Sequence, residues 1–147
     1  MASFGLTSIK VLDTCHPMLQ ALFLEVVKSY DCQLLVGART VAEQIQAIKD
    51  GRSKLSDPME SRHVIGPGRT VAMAIDVAPY PVVWPSLQHM KLNEYIHAVG
   101  RFYHFAGYVL HVAHSLSTPL RWGGDWDGDL TFVDQKFDDL DHFELMV

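Results

Sequence analysis

Residues 61–79 read SRHVIGPGRTVAMAIDVAP, and the stretch changes character halfway along. Its first half belongs to a longer run, 52–69, that is rich in Gly, Pro, Ser and charge, which predicts a loop unless something outside the backbone organises it. Over 71–77 small and large apolar residues alternate, which predicts a central strand. The loop half carries His63 and the strand carries Asp76, so a metal-binding ring and an acid stand at the two ends of one short segment.

Upstream, Thr40 with Glu43 three residues later forms a capping-box pattern before AEQIQAIK, predicting a helix that Gly51 ends. Residues 34–37 read as a short buried strand. Over 17–30 the apolar positions Met18, Leu22, Val26 and Tyr30 recur every fourth residue behind Pro17, an amphipathic helix with Pro in its first turn. Downstream of the PYPVVWP break, 89–105 has a helical pattern, and 108–113 is apolar and open between strand and helix. Short β-like pieces at 120–122 and 142–146 flank a turn-rich GGDWDGD segment. Helices early and short strands late predict an α+β fold, a single domain spanning 1–147 with an antiparallel sheet flanked by helices.

The bulk composition fits that size. The chain has 147 residues, 48% of them hydrophobic, enough to bury a core without disulfide support. Twelve Lys and Arg against seventeen Asp and Glu give a net charge of −5 with no block of like charge, which argues against nucleic acid as a partner. No apolar run approaches the ~18 residues of a membrane span, and the first residues lack the pattern of an export signal, so the expectation is a cytosolic chain without stable membrane association. Cys15 and Cys32 are too few for a disulfide framework and are expected to be reduced, buried thiols.

Of eight histidines, two sit where polar, Gly-containing sequence meets a predicted strand: His63, and His142 within FDDLDHFEL. A hydrolytic zinc site takes three ligands from His and carboxylate and leaves one position open. His63, Asp76 and His142 supply that set. Imidazole suits the borderline ion, while a single carboxylate lowers the charge of the site without quenching its Lewis acidity. An acid must also stand beside the centre to carry protons. Asp139, three residues before His142, is the candidate, with Asp138 and Asp141 as neighbouring alternatives.

With these residues in place, the chain resembles the zinc peptidases of the hedgehog/D-alanyl-D-alanine carboxypeptidase fold, particularly the phage L-alanyl-D-glutamate endopeptidases that act as endolysins. The Ser-x-His-x-x-Gly stretch is Ser61-Arg62-His63-Val64-Ile65-Gly66, and the Ala-x-Asp is Ala74-Ile75-Asp76. The Asp-x-x-His followed by Phe-Glu-Leu is 139–145, and the WGGDW of the phage branch is 122–126. The similarity runs from 36–44 to the C-terminus. It implies that His63, Asp76 and His142 hold one Zn2+ and that Asp139 is the acid/base. Arg39 and Gln44 match an Arg-Ser/Thr-x-x-x-Gln pattern in which the Arg lies near the scissile carbonyl or the oxyanion, with an exposed Arg at a helix start as the alternative. Gln44, Ser61 and Trp122 are the expected substrate contacts, although Trp122 and Trp126 suit packing beneath the site equally well. One departure stands out. The family spaces its first His and Asp seven apart, whereas here they are thirteen apart, so the residues around PGRTVAM should form a loop or hairpin.

The implied activity is hydrolysis of a peptide bond in the peptidoglycan stem, with peptidoglycan as partner, a monomer as the working form, and release to the wall through a separate membrane-permeabilising protein. A D-alanyl-D-alanine carboxypeptidase and a non-catalytic zinc-stabilised binding domain are the rivals. Asp125, Asp127 and Asp129 suggest a Ca2+ loop but lack the Gly and Glu of an EF-hand, so they read as a solvated acidic turn. His97, His104, His111 and His114 read as structural or surface residues, since no acid or Gly-rich turn accompanies them.

Overall fold

The computed structural model describes residues 2–147. Its helices and strands follow in the order α1 (Leu6–Leu12), α2 (Pro17–Val26), β1 (Cys32–Val36), α3 (Val41–Lys49), β2 (Ala74–Pro79), α4 (Leu92–Ser115), β3 (Leu120–Gly123) and β4 (Asp139–Leu145). The four strands form one sheet in the order β1-β2-β4-β3, every pair antiparallel. The α+β class and antiparallel sheet match the expectation. β1 between α2 and α3, and β2 ahead of the long helix, fall where the sequence predicts strands, at 34–37 and 71–77.

Strand parity divides the sheet into two faces. Ile75 and Val77 of β2, with Phe143 and Leu145 of β4, point into a core closed by Leu19, Leu22, Phe23 and Val26 of α2 and by Phe105, Val109 and Val112 of α4. Their neighbours Asp76, His142 and Glu144 therefore point the other way. Every residue of β2 is nevertheless buried, because that second face is also covered. The cover comes from the 52–69 loop, whose Val64 and His63 are almost completely removed from solvent.

Local chemistry explains the boundaries. His16 Nδ1 accepts the Met18 N–H at 3.2 Å, and Pro17 occupies the first turn of α2. The Thr40–Glu43 capping box is present, and beyond the Asp50 cap of α3 Gly51 turns the chain at φ +73°. Residues 92–115 form one helix, resolving the ambiguous 108–113 segment: Phe102, Phe105, Ala106, Val109, Val112 and Ala113 keep a single apolar stripe across Gly107. Packing of that stripe outweighs the ~1 kcal/mol that a helical glycine costs. The α1 helix is unanticipated; it buries only Ser8 and Leu12 and has no capping side chain, so its pattern in the sequence is weak. Cys15 and Cys32 are buried free thiols, pushed by desolvation up to about 11 and about 12.

Candidate metal centre and cleft

Antiparallel pairing sets Asp76 directly opposite His142 across the centre of the sheet. His63 arrives from the loop above. Its position is fixed by the backbone of Arg39, whose N–H donates to the His63 carbonyl at 2.8 Å and whose carbonyl accepts the Ile65 N–H at 3.0 Å. The thirteen-residue separation in sequence is taken up by a tight hairpin. Gly66 and Arg69 exchange backbone hydrogen bonds of 2.8 and 3.0 Å around Pro67 and Gly68, the latter at φ +82°. Arg69 then folds back, donating to the carbonyls of Ser61 at 2.9 Å and Val64 at 3.4 Å, on either side of His63.

Three donor atoms meet at the centre. His63 Nε2 lies 3.0 Å from Asp76 Oδ1, His142 Nδ1 lies 3.1 Å from the same oxygen, and the two nitrogens are 3.2 Å apart. A tetrahedral ion with bonds of about 2.0–2.1 Å needs ligand atoms about 3.3 Å from one another, so the triangle has the right size for one face of a zinc-like site.

The outer nitrogens make the chemistry specific. His63 Nδ1 is 2.8 Å from the Gly37 carbonyl oxygen, and His142 Nε2 is 2.9 Å from Glu144 Oε2. Both partners only accept, so both outer nitrogens carry hydrogen. In the neutral rings the two inner nitrogens are bare lone pairs converging on a carboxylate, an arrangement that calls for a cation. The residues thus fit a divalent metal. In the metal-free protein a proton serves instead. Burial opposes charging His142, but its hydrogen bonds to Asp76 and Glu144 override that and raise it to about 10. Burial likewise opposes ionising Asp76, yet the two imidazoles hold its carboxyl well below the usual range.

Glu144 is anchored in turn. It accepts from the Arg121 guanidinium, with Nε at 3.1 Å, its cross-strand partner on β3. Against the penalty of burial, the hydrogen bonds from His142 and Arg121 pull its carboxyl down to about 2. Arg121 also lies over the Trp126 ring at 5.5 Å, and Trp126 sits beside the His142 ring at 5.4 Å.

The triad opens onto a cleft of about 860 Å3, whose lining includes Arg39, Gln44, Ser61, Asp138, Asp139 and Asp141. Arg39 reaches Asp76 Oδ2 at 3.5 Å and donates to Gln44 Oε1 at 3.2 Å. Gln44 is 1% exposed and spends its amide N–H on Ser53 at 2.9 Å. Gln44 thus lines the cleft while its amide oxygen braces Arg39. Ser61 Oγ accepts the His63 N–H at 3.3 Å, bracing the ligand loop from the cleft wall. Trp122 takes the packing position, the second of its two expected roles. Its indole is buried in the core against Tyr103, with the N–H on the Leu140 carbonyl at 2.8 Å, because the odd parity that sends Phe143 inward sends its strand partner Trp122 inward as well.

Asp139 opens β4 opposite Gly123, where any Cβ would overlap the Asp139 carbonyl. That glycine lets the acid approach the sheet, and the neighbouring Gly124 leaves room for the Trp122 ring. Burial, then the negative charges of Asp76 and Asp139, push Asp141 up to about 8. Asp125, Asp127 and Asp129 do gather their carboxylates, but Asp125 is buried and accepts the N–H groups of Gly128 and Leu130 at 3.0 and 3.1 Å, closing its own turn. On α4, His104 Nδ1 pairs with the Tyr30 hydroxyl at 3.0 Å, tying the long helix to the turn between α2 and β1.

Sequence reasoning misses Glu144, Arg121 and the Gly37 carbonyl as supports of the ligands. Glu144 is accessible from period-two spacing, since it shares the face of His142; Arg121 needs the strand register, and a backbone carbonyl carries no signal in side-chain identity.

Among solved structures, the Serratia marcescens L-Ala D-Glu endopeptidase ChiX superposes with a TM-score of 0.66 over 97% of this chain and 88% of its own, at 22% identity, and so shares the fold. The L-alanyl-D-glutamate peptidase of Escherichia phage T5 is 34% identical over 137 residues, covering 90% of this chain and 87% of the relative. The model of the family described as phage L-alanyl-D-glutamate peptidase matches residues 1–146, so the likeness extends through α1 and α2, beyond the stretch that motifs alone delimit. The chain belongs to the phage L-alanyl-D-glutamate peptidase family.

Proposed function

We propose that this protein hydrolyses the L-alanyl–D-glutamate bond of peptidoglycan stem peptides with one Zn2+ held by His63 Nε2, Asp76 and His142 Nδ1. The observation that carries the proposal is the triangle of 3.0, 3.1 and 3.2 Å between inner donor atoms, with both outer ring nitrogens already committed and a cleft in front. Zinc in that position supplies Lewis-acid activation of water and of the scissile carbonyl. The chain's own groups do the rest. Asp139 takes a proton from the attacking water and returns it to the departing D-glutamate amine. Arg39, held by Gln44, offers a guanidinium to the oxyanion that develops at the carbonyl. Gly37 and Glu144 fix the tautomers and ring planes of the two histidines.

On this reading residues 1–147 form one catalytic domain working as a monomer. The protein waits in the host cytoplasm and reaches the wall through a lesion opened by a separate phage protein. Among the described residues no helix is long and apolar enough to cross a membrane. Metal analysis of the purified protein, followed by digestion of cell walls, tests the proposal. About one zinc per chain and newly exposed amino-terminal D-glutamate are the expected results. Release of free D-alanine would instead indicate a carboxypeptidase, and zinc without any release a binding domain; either outcome overturns the assignment.

A further inference from the structure

The three tryptophans are used differently. Trp122 and Trp126 give their N–H groups to the Leu140 and Phe137 carbonyls at 2.8 and 3.0 Å, and their rings to the core and to His142. Trp84 has no hydrogen bond among the described residues and stays 50% exposed, yet it lines the same cleft as the metal triad. It is not loose. Its ring stacks on Phe102 of α4, with centroids 5.4 Å apart and planes inclined by 26°, and prolines at 79, 81 and 85 restrict the segment that carries it. Phe102 is itself 1% exposed, so the stack is anchored in the protein interior. A large aromatic surface with a spare N–H is thus presented to the cleft, at the cost of leaving apolar area in water.

The substrate offers a matching surface. On the acyl side of an L-alanyl–D-glutamate bond there is one alanine, then the lactyl ether and ring of N-acetylmuramic acid. A single residue spans at most about 3.6 Å, so the sugar lies close to the reacting carbonyl and within the cleft. Sugar rings present an apolar C–H face to aromatic planes and hydroxyl or acetamido oxygens to an indole N–H. We infer that Trp84 is the platform of a subsite for the N-acetylmuramoyl ring, making the enzyme selective for stems still attached to glycan. This rests on the peptidase reading above and adds to it a specificity residue in the 80–91 segment.

The test compares two substrates of the zinc-loaded full chain: N-acetylmuramoyl-L-alanyl-γ-D-glutamyl peptide, and the same peptide carrying only the D-lactoyl group. The wild type should have a kcat/KM roughly tenfold higher on the muramoyl substrate, within the range of aromatic stacking. Trp84→Ala should bring the muramoyl value down to the lactoyl value while moving the latter by no more than about twofold, and Trp84→Phe should retain part of the preference. A wild type that treats the two substrates alike, or a Trp84→Ala variant that loses activity equally on both, overturns the subsite. Titrating metal-free protein with N-acetylmuramoyl-L-alanine gives a second readout that needs no turnover. A change in tryptophan fluorescence is expected in the wild type and should be absent in Trp84→Phe; its absence from the wild type counts against the subsite. If the wild type cleaves neither substrate, the peptidase reading fails, and the fluorescence titration still decides whether the sugar binds.

Discussion

His142 Nε2 lies 2.9 Å from Glu144 Oε2, two residues further along the same strand and on the same face. The carboxylate fixes which nitrogen of the ring faces Asp76 and His63, and Arg121 keeps the carboxylate in place. Glu144→Ala removes the acceptor, leaves the buried edge of His142 unpaired and takes from Arg121 its carboxylate, leaving that guanidinium only the Trp126 carbonyl and ring. Its zinc affinity should fall by roughly 10–100-fold, measured by competition with a chromophoric chelator, and Glu144→Gln should lie between the two. Unchanged zinc affinity in Glu144→Ala would remove this link from the site.

Zinc binding should also depend steeply on pH. Because His142 is raised to about 10 in the metal-free protein, it carries a proton across the neutral range that the metal must displace. Apparent zinc affinity should therefore rise roughly tenfold per pH unit from 6 to 9. Stability of the metal-free form runs the other way at high pH. The raised His142 contributes stability fully below its ordinary 6.5 and loses it as pH climbs through about 10; the lowered Glu144 contributes above its ordinary 4.5 and loses it as pH falls toward about 2. Asp141, raised to about 8, loses its contribution as pH climbs from its ordinary 3.8. Thermal unfolding with chelator should thus peak near pH 4–5, whereas in the zinc-loaded protein His142 holds no proton at Nδ1 and its loss toward pH 10 should disappear. A metal-free protein that becomes more stable from pH 7 to 10 would contradict the His142 assignment.

Asp139 and Asp141 can be separated by the same logic. If Asp139 carries protons between water and leaving amine, Asp139→Asn should lower kcat by about 10²–10⁴ while zinc content stays near one per chain. In the metal-free protein burial and the charges of Asp76 and Asp139 push Asp141 up to about 8, so Asp141→Asn replaces a group that burial already disfavours as an anion. It should cost less than about tenfold at pH 7 and alter mainly the alkaline limb of the pH–rate profile. The reverse ranking would exchange the two roles.

What can be read in advance follows physical range. Helix α3 is legible because Thr40 and Glu43 settle its start locally, and the metal triad because each ligand sits at a junction of polar turn and apolar strand. The burial of Trp122 is not legible, since its side is set by pairing with Phe143 on another strand. Gln44 has the same pattern whether it touches substrate or braces Arg39, and its bond to Ser53 depends on the path of the following loop. The single long α4 is obscured by Gly107, whose local cost is outweighed by the tertiary packing of the stripe around it.

The hairpin between His63 and Asp76 yields a sharper contrast. Arg69 is tied to the carbonyls on both sides of His63, whereas Gly68 sits at the tip, where an added Cβ would meet nothing within 4 Å. Arg69→Ala deletes a charged donor to two backbone acceptors, worth about 2 kcal/mol, and should lower the Tm by about 5 °C. It should also weaken zinc binding, because the loop that aims His63 Nε2 loses its tether. Gly68→Ala costs stability too, about 1 kcal/mol, since alanine resists a φ of +82°, but it touches no part of the ligand loop. The decisive quantity is zinc affinity at matched stability. It should drop several-fold in Arg69→Ala and stay at the wild-type value in Gly68→Ala; equal affinities in the two variants would mean that the hairpin merely bridges the ligands and that Arg39 alone positions His63.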